Sequence, residues 1–102
     1  MERMITLMVQ LRARPGMAAE LERHLQALTA AARKEPGCAD YHFHRSVDDP
    51  NVFAFYENWL SQKDFEEHIR QPIQIEFGEN RGALLADNVD MKFYKMVSPY
   101  NK

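Results

Sequence analysis

Clusters of positive charge are missing from this 102-residue chain, in which 13 Lys and Arg are outnumbered by 15 Asp and Glu. A protein that binds nucleic acid or an anionic membrane usually carries such a cluster on its surface. With a formal net charge of −2 and no run of Lys or Arg, the chain is expected to bind neither.

Long apolar runs are also missing, and cysteine occurs once, at Cys38. The apolar stretch near the start of the chain ends at Gln10, which is too short for a membrane span, and it carries no small-residue cleavage site. A single cysteine cannot form an internal disulfide, which agrees with a reducing compartment. We therefore expect a cytoplasmic protein.

Several familiar catalytic motifs do not occur. There is no phosphate-binding glycine loop, no nucleophile elbow, and no Ser or Cys paired with His in a recognisable local context. Cys38, His42 and His44 lie close together in sequence, but no further Cys and no ligand pair elsewhere completes a metal-binding spacing. The sequence therefore predicts no metal site and excludes the common hydrolase and nucleotide-binding classes.

The composition that remains is that of one globular domain spanning residues 1–102, with 45% apolar and 27% charged residues. Pro72 should interrupt the second of two helices, and the tail at residues 98–102 should be loosely ordered. Hydrophobic periodicity predicts strands at Met4–Ala13, Cys38–Arg45, Val52–Leu60 and Val89–Val97, and helices at Met17–Ala32 and after Ser61. The order β-α-β-β-α-β predicts the α+β class: a ferredoxin-like antiparallel sheet with both helices on one face.

Strand alternation places large apolar side chains on both faces of this sheet. In the first strand Ile5 and Leu7 share one face, whereas Met4 and Met8 lie on the other. Because the helices cover one face only, the second would be an apolar patch of interface size on a monomer. We therefore expect a homodimer in which two sheets pack about a two-fold axis.

Trp59, at the end of the third strand, and His68, on the second helix, are the residues best suited to chemistry. His68 lies beside Phe65 and Ile69 at helical spacing, so both it and Trp59 could line a cavity between sheet and helices. A Trp and a His in such places are more often ordinary core residues. An apolar pocket with one imidazole titrating near neutral pH would, however, also suit proton abstraction from an aromatic substrate.

Four short motifs extend this pattern along the chain. They are Glu35-Pro36-Gly37-Cys38-x-x-Tyr41, Asp49-Pro50-x-x-Phe53, Glu57-Asn58-Trp59 and Phe65-x-x-His68-x-x-x-Pro72. In this spacing the chain resembles the antibiotic biosynthesis monooxygenase domain family, whose members are small dimeric α+β barrels. The likeness extends from Thr6 to about Val97.

The resemblance implies a cofactor-independent monooxygenase that oxidises a small aromatic quinol, phenol or anthrone with dioxygen. Such a substrate, once deprotonated, is electron-rich enough to reduce dioxygen, so the protein supplies binding, orientation, proton removal and a dry cavity. It implies His68 as the base and Trp59 as the wall on which the substrate stacks. The further substrate-binding residues would be Tyr41, Asn58, Phe55, Phe65 and Phe77, although alternation puts Asn58 on the sheet face opposite Trp59.

Two alternatives stay open. Related members degrade haem with a strand-one Asn, a strand-three Trp and a helix-two His that ligates iron. Trp59 and His68 match two of these, but no Asn occurs between Met4 and Arg14. The other alternative is a dimeric ligand-binding protein without catalysis, which would be favoured if aromatic side chains filled the space beside Trp59.

Overall fold

Four antiparallel strands form one sheet in the order β2-β3-β1-β4, with the helices packed on one of its faces. The structure is a computed structural model that describes residues 3–101, so Met1, Glu2 and Lys102 of the expected domain lie outside the described residues. The elements are β1 (Ile5–Arg12), α1 (Ala18–Ala32), β2 (Cys38–Arg45), β3 (Val52–Trp59), α2 (Gln62–Ile69), α3 (Pro72–Asn80), a 3₁₀ turn (Arg81–Ala83) and β4 (Asp90–Tyr94). The α+β ferredoxin-like fold expected from the sequence is confirmed. No helix within residues 3–101 is long and apolar enough to cross a membrane.

β4 is shorter than the strand predicted at Val89–Val97 because its partner ends. β4 pairs only with β1, which begins at Ile5, and the last pair in the register joins Thr6 to Tyr94. A longer β4 would extend past the start of β1 and leave its backbone groups unpaired. The end of one strand therefore sets the end of the other.

The second helical region divides at Pro72, as predicted. Ser61 caps α2, since its hydroxyl oxygen accepts a hydrogen bond from the Asp64 amide at 3.1 Å. Pro72 then occupies the first turn of α3, where a missing N–H breaks no helical hydrogen bond. As a result His68 lies in the last turn of α2, and α3 is a separate short helix in which no residue is fully buried.

Gly37 brings the start of β2 into close contact with α2. A Cβ at this position would overlap the side chain of Asp64, and the Gly37 carbonyl accepts a hydrogen bond from the Leu60 amide at 2.9 Å. Only a residue without a side chain permits this approach. The contact fixes the position of α2 over the end of the sheet.

The core lies between the sheet and the helices. Alternate residues of the strands point into it, and the register places Leu7 of β1 and Tyr41 of β2 on either side of Glu57 in β3. α1 closes the core from above with Leu21 and Leu25, both fully buried. Glu57 is thus a carboxyl group on the apolar face of the central part of the sheet.

The opposite sheet face, called the open face below, has no helix over it. Met8 and Tyr94 are 48% and 47% exposed there. Gln10, His42 and Lys92 are exposed on the same face, because strand alternation places them beside these two side chains. The open face is therefore of mixed polarity, whereas an apolar surface was predicted. The polar residues come from the central strand β1 (Gln10) and from the edge strands β2 (His42) and β4 (Lys92).

Candidate functional site

A cavity of about 150 Å³ lies between the sheet and the helices. An apolar cavity of about this size can hold a benzene ring. Most of its wall is aliphatic or aromatic, as is usual for a small-molecule site. Five polar side chains interrupt that wall: Tyr41, Glu57, His68, Gln74 and Arg81.

His68 is held in one orientation by Glu35, which follows α1. The His68 Nδ1 and the Glu35 Oε2 are 2.8 Å apart, and only 3% of His68 is exposed. A carboxylate at this distance accepts a hydrogen bond from the Nδ1–H group, so Nε2 carries the lone pair. Within residues 3–101 no hydrogen bond to Nε2 is found, and His68 lines the cavity.

Burial of the ring lowers the pKa of His68 below its ordinary value of 6.5, and the hydrogen bond and charge of Glu35 oppose this effect. The imidazole is therefore mostly neutral at pH 7. A neutral imidazole whose second nitrogen is fixed by a carboxylate is the arrangement of a general base. In this arrangement Glu35 is a positioning residue.

Trp59 packs against His68 and is not part of the cavity wall. Their ring centroids are 4.2 Å apart with an angle of 32° between the planes, and Trp59 is fully buried. Tyr41 contacts both rings edgewise, at 6.2 Å from Trp59 and 5.7 Å from His68. The structure thus places Trp59 where it supports the imidazole from behind. The residues that line the cavity include His68 and Tyr41 but not Trp59, so stacking of a ligand on the indole, which the resemblance implied, stays a prediction.

Glu57 was not predicted from the sequence as a site residue, yet it lines the cavity and is only 5% exposed. Its Oε1 accepts a hydrogen bond from the Trp59 Nε1 at 3.0 Å. Burial raises the pKa of Glu57 to about 7; the Trp59 hydrogen bond opposes this rise, and the charge of Glu35 adds to it. The signal in the sequence was a carboxylate on the strand face that also carries Phe53 and Phe55.

The predicted substrate-binding residues divide between the two faces of the sheet. Tyr41, Phe55, Phe65 and Phe77 all line the cavity, and they surround it without filling it. Burial raises the pKa of Tyr41 above its usual range, so its hydroxyl stays protonated. Asn58 alone lies elsewhere, on the open face, as strand alternation required.

Asn58 is fully buried in a hydrogen-bond network that leaves its amide no group for a cavity ligand. Its carbonyl accepts from the Thr6 hydroxyl at 2.5 Å, and its Nδ2 donates to the Tyr56 hydroxyl and to the Asp40 carboxylate, both at 2.9 Å. Tyr100 from the tail donates to the same Asp40 oxygen at 2.8 Å. Asn58 therefore joins three strands and the tail.

A haem would exceed the volume of this cavity. His68 has the carboxylate partner that is common behind metal-binding imidazoles. A volume of about 150 Å³ admits about one six-membered ring, however, whereas a porphyrin contains four pyrrole rings. Within residues 3–101 no group of three or more His, Cys, Asp or Glu is arranged to hold a metal ion.

Fold and site together define a small α+β protein with an apolar ligand cavity and three buried ionisable groups on its wall. Residues 4–79 match the antibiotic biosynthesis monooxygenase family, and the chain belongs to that family. Membership supports a monooxygenase-type or small-molecule-binding role.

Solved structures of similar proteins agree with this assignment. A Pseudomonas aeruginosa protein superposes with a TM-score of 0.90 at 33% identity, covering 96% of this chain and 98% of that chain. A Caulobacter crescentus protein, described as a candidate antibiotic biosynthesis monooxygenase, gives 0.87 at 26% identity, covering 95% and 92%. An uncharacterized Synechocystis protein is 30% identical over 87 residues, or 85% of this chain, which spans 59% of the length of that protein.

Proposed function

We propose that the protein is a cofactor-independent monooxygenase that oxidises a small aromatic quinol or phenol with dioxygen. The observation that carries the proposal is His68, a buried imidazole on the wall of an apolar cavity with its Nδ1 held by Glu35. Family membership supports oxygenation as the reaction. The cavity volume favours a substrate with a single aromatic ring, because the three fused rings of an anthrone exceed this volume.

In this reaction the His68 Nε2 removes the proton of a phenolic hydroxyl. The phenolate then transfers an electron to dioxygen, and the two radicals combine into a ring hydroperoxide. Loss of water from the hydroperoxide completes the balance: one quinol and one dioxygen give one hydroxyquinone and one water. Tyr41, Gln74 and Arg81 lie on the same wall and are the donors available to the phenolate oxygen.

Oxygen uptake with a panel of one-ring hydroquinones and catechols, and with anthrone, tests this function. We expect turnover of one-ring substrates and little or none of anthrone. His68→Ala should lower kcat by about 10²- to 10⁴-fold, the usual contribution of a positioned base. His24→Ala, which changes an exposed imidazole on α1, is the matched control and should keep full activity.

Two results would contradict the proposal. One is the absence of protein-dependent uptake with every quinol, and the other is undiminished uptake by His68→Ala. Binding of the same ligands without any uptake would instead favour a non-catalytic ligand-binding protein. A titration with haemin tests the haem alternative, and we expect no Soret band that depends on His68.

We also propose that the protein forms a homodimer through the open face, where Met8 and Tyr94 are half exposed. Sedimentation at micromolar concentration should give twice the mass of the chain. Met8→Lys should shift the protein toward the monomer, whereas Val47→Lys, at a position 98% exposed in the β2–β3 turn, should not. A monomeric mass for the unchanged protein would refute the dimer.

A further inference from the structure

Trp59 joins two ionisable groups that both line the cavity. Its indole nitrogen donates to Glu57 at 3.0 Å, and its ring packs on His68 at 4.2 Å. An imidazole and a carboxyl group are thus held on one rigid indole, both facing the space that a ligand would fill.

We propose that Glu57, in its protonated form, is the general acid that delivers a proton to the departing peroxide oxygen while His68 acts as the base. The inference rests on the proposed function and adds a second catalytic residue to it. In the structure the Glu57 Oε1 is occupied by the Trp59 N–H. No other side chain in residues 3–101 hydrogen bonds this carboxyl group, so Oε2 is the oxygen available to carry the proton into the cavity.

At neutral pH Glu57 and His68 have the protonation states that an acid and a base require. Burial raises the pKa of Glu57 to about 7, so a large fraction of its carboxyl groups is protonated at neutral pH. Burial lowers the pKa of His68, so its imidazole is a free base at the same pH. When the environments of two titratable groups shift their pKa values in opposite directions in this way, the pair can act as an acid and a base.

The other groups around Glu57 do not compete for this role. Cys38 and Tyr41 both have a pKa raised by burial, to about 11 for the thiol, and stay protonated. Glu35 is engaged by His68, and Arg81 is a permanent cation. The titratable and charged groups that face Glu57 from the neighbouring elements are Glu35, Cys38, Tyr41, His68 and Arg81.

The acid is needed at the second half of the reaction. After the C–O bond has formed, His68 removes the hydrogen of the oxygenated ring carbon as a proton. The electron pair of this C–H bond then forms the second bond of a carbonyl group as the O–O bond breaks. Glu57 protonates the distal oxygen, which leaves as water. The proton that His68 gains then restores Glu57. Without the acid, the same hydroperoxide can expel hydrogen peroxide through its C–O bond, which converts quinol and dioxygen into quinone and hydrogen peroxide.

Glu57→Gln therefore changes the product more than the uptake of oxygen. With ¹⁸O₂ and a one-ring hydroquinone, the unchanged protein should form hydroxyquinone containing one ¹⁸O. The variant should consume oxygen through His68 but release quinone and hydrogen peroxide, with hydroxyquinone formation reduced about 100-fold or more. Glu57→Asp, which retains an acid on a shorter side chain, should recover part of the oxygen insertion.

The pH profile separates this role from a structural one. Oxygen insertion by the unchanged protein should decline above pH 7 as Glu57 loses its proton, while the residual activity of Glu57→Gln should lack this decline. If Glu57→Gln inserted oxygen at the normal rate and released no hydrogen peroxide, the role of Glu57 as general acid would be refuted. The proposed function would remain. No oxygen uptake by the unchanged protein, above the rate in its absence, would overturn both.

Discussion

Replacing Glu57 by Gln should stabilise the protein at pH 8 and have a much smaller effect at pH 5. Glu57 is a carboxyl group in the core, 5% exposed, whose single side-chain partner in the described part of the chain is the Trp59 N–H. The carbonyl of a Gln can accept the same hydrogen bond. The substitution thus removes a buried charge and keeps the shape.

The size of the effect comes from the rise of the Glu57 pKa from 4.5 to about 7. Each pH unit of such a rise is worth about 1.4 kcal/mol. Between the two pKa values the folded protein binds more protons than the unfolded chain, so this carboxyl group makes stability fall as pH increases. From pH 5 to pH 8 the loss is about 2 to 3 kcal/mol, and Gln avoids it. For a domain of this length that difference is on the order of 10 °C in Tm.

Thermal and urea unfolding followed by circular dichroism at pH 5 and pH 8 would measure this difference. The advantage of Glu57→Gln over the unchanged protein should grow by about 2 to 3 kcal/mol between the two pH values. Glu79→Gln, at an exposed position of α3, is the matched control and should show no such growth. If Glu57→Gln changed the free energy of unfolding equally at both pH values, the claim that burial of the charged carboxylate destabilises the folded protein would be refuted.

Further predictions concern the contacts that position the site. Glu35→Gln removes the charge that holds up the pKa of His68, so the midpoint of the His68 ring signals in an NMR titration should move to lower pH; an unchanged midpoint would mean that the 2.8 Å contact does not persist in solution. Gly37→Ala should cost about 1 to 3 kcal/mol of unfolding free energy, because its Cβ overlaps Asp64. Gly82→Ala, whose Cβ meets nothing within 4 Å, is its control, and equal stability of the two variants would show that Asp64 yields.

Much of the fold could be predicted because it depends on local patterns. Three patterns act within a few residues of the chain, and the structure contains all of them: the alternation in β1, the proline at the start of α3 and the cap at Ser61. The exact length of β4 could not be predicted, since it depends on where β1 begins. The open face was predicted to be apolar, but Gln10, His42 and Lys92 make its polarity mixed.

Less of the candidate site could be predicted from such local patterns. His68 could be singled out by its place among apolar helix residues, but its partner Glu35 is 33 residues distant and no periodicity relates the two. The side of the imidazole on which Trp59 packs is likewise a result of tertiary structure. Glu57 could have been predicted from the sequence, because it shares a strand face with aromatic residues, and a carboxylate on a buried face is costly unless it has a partner or a function.

The separation of α2 and α3 at Pro72 has a consequence for how a ligand enters. Gln74, Phe77 and Gly78 of α3 form part of the cavity wall, yet no residue of this helix is fully buried, in contrast to Leu21 and Leu25 of α1. Elements with few buried apolar side chains open locally at small free-energy cost, and their amides exchange hydrogen first. Because α3 forms part of the cavity wall, its local opening would widen the access to the cavity, whereas the sheet that carries Glu57 would stay in place.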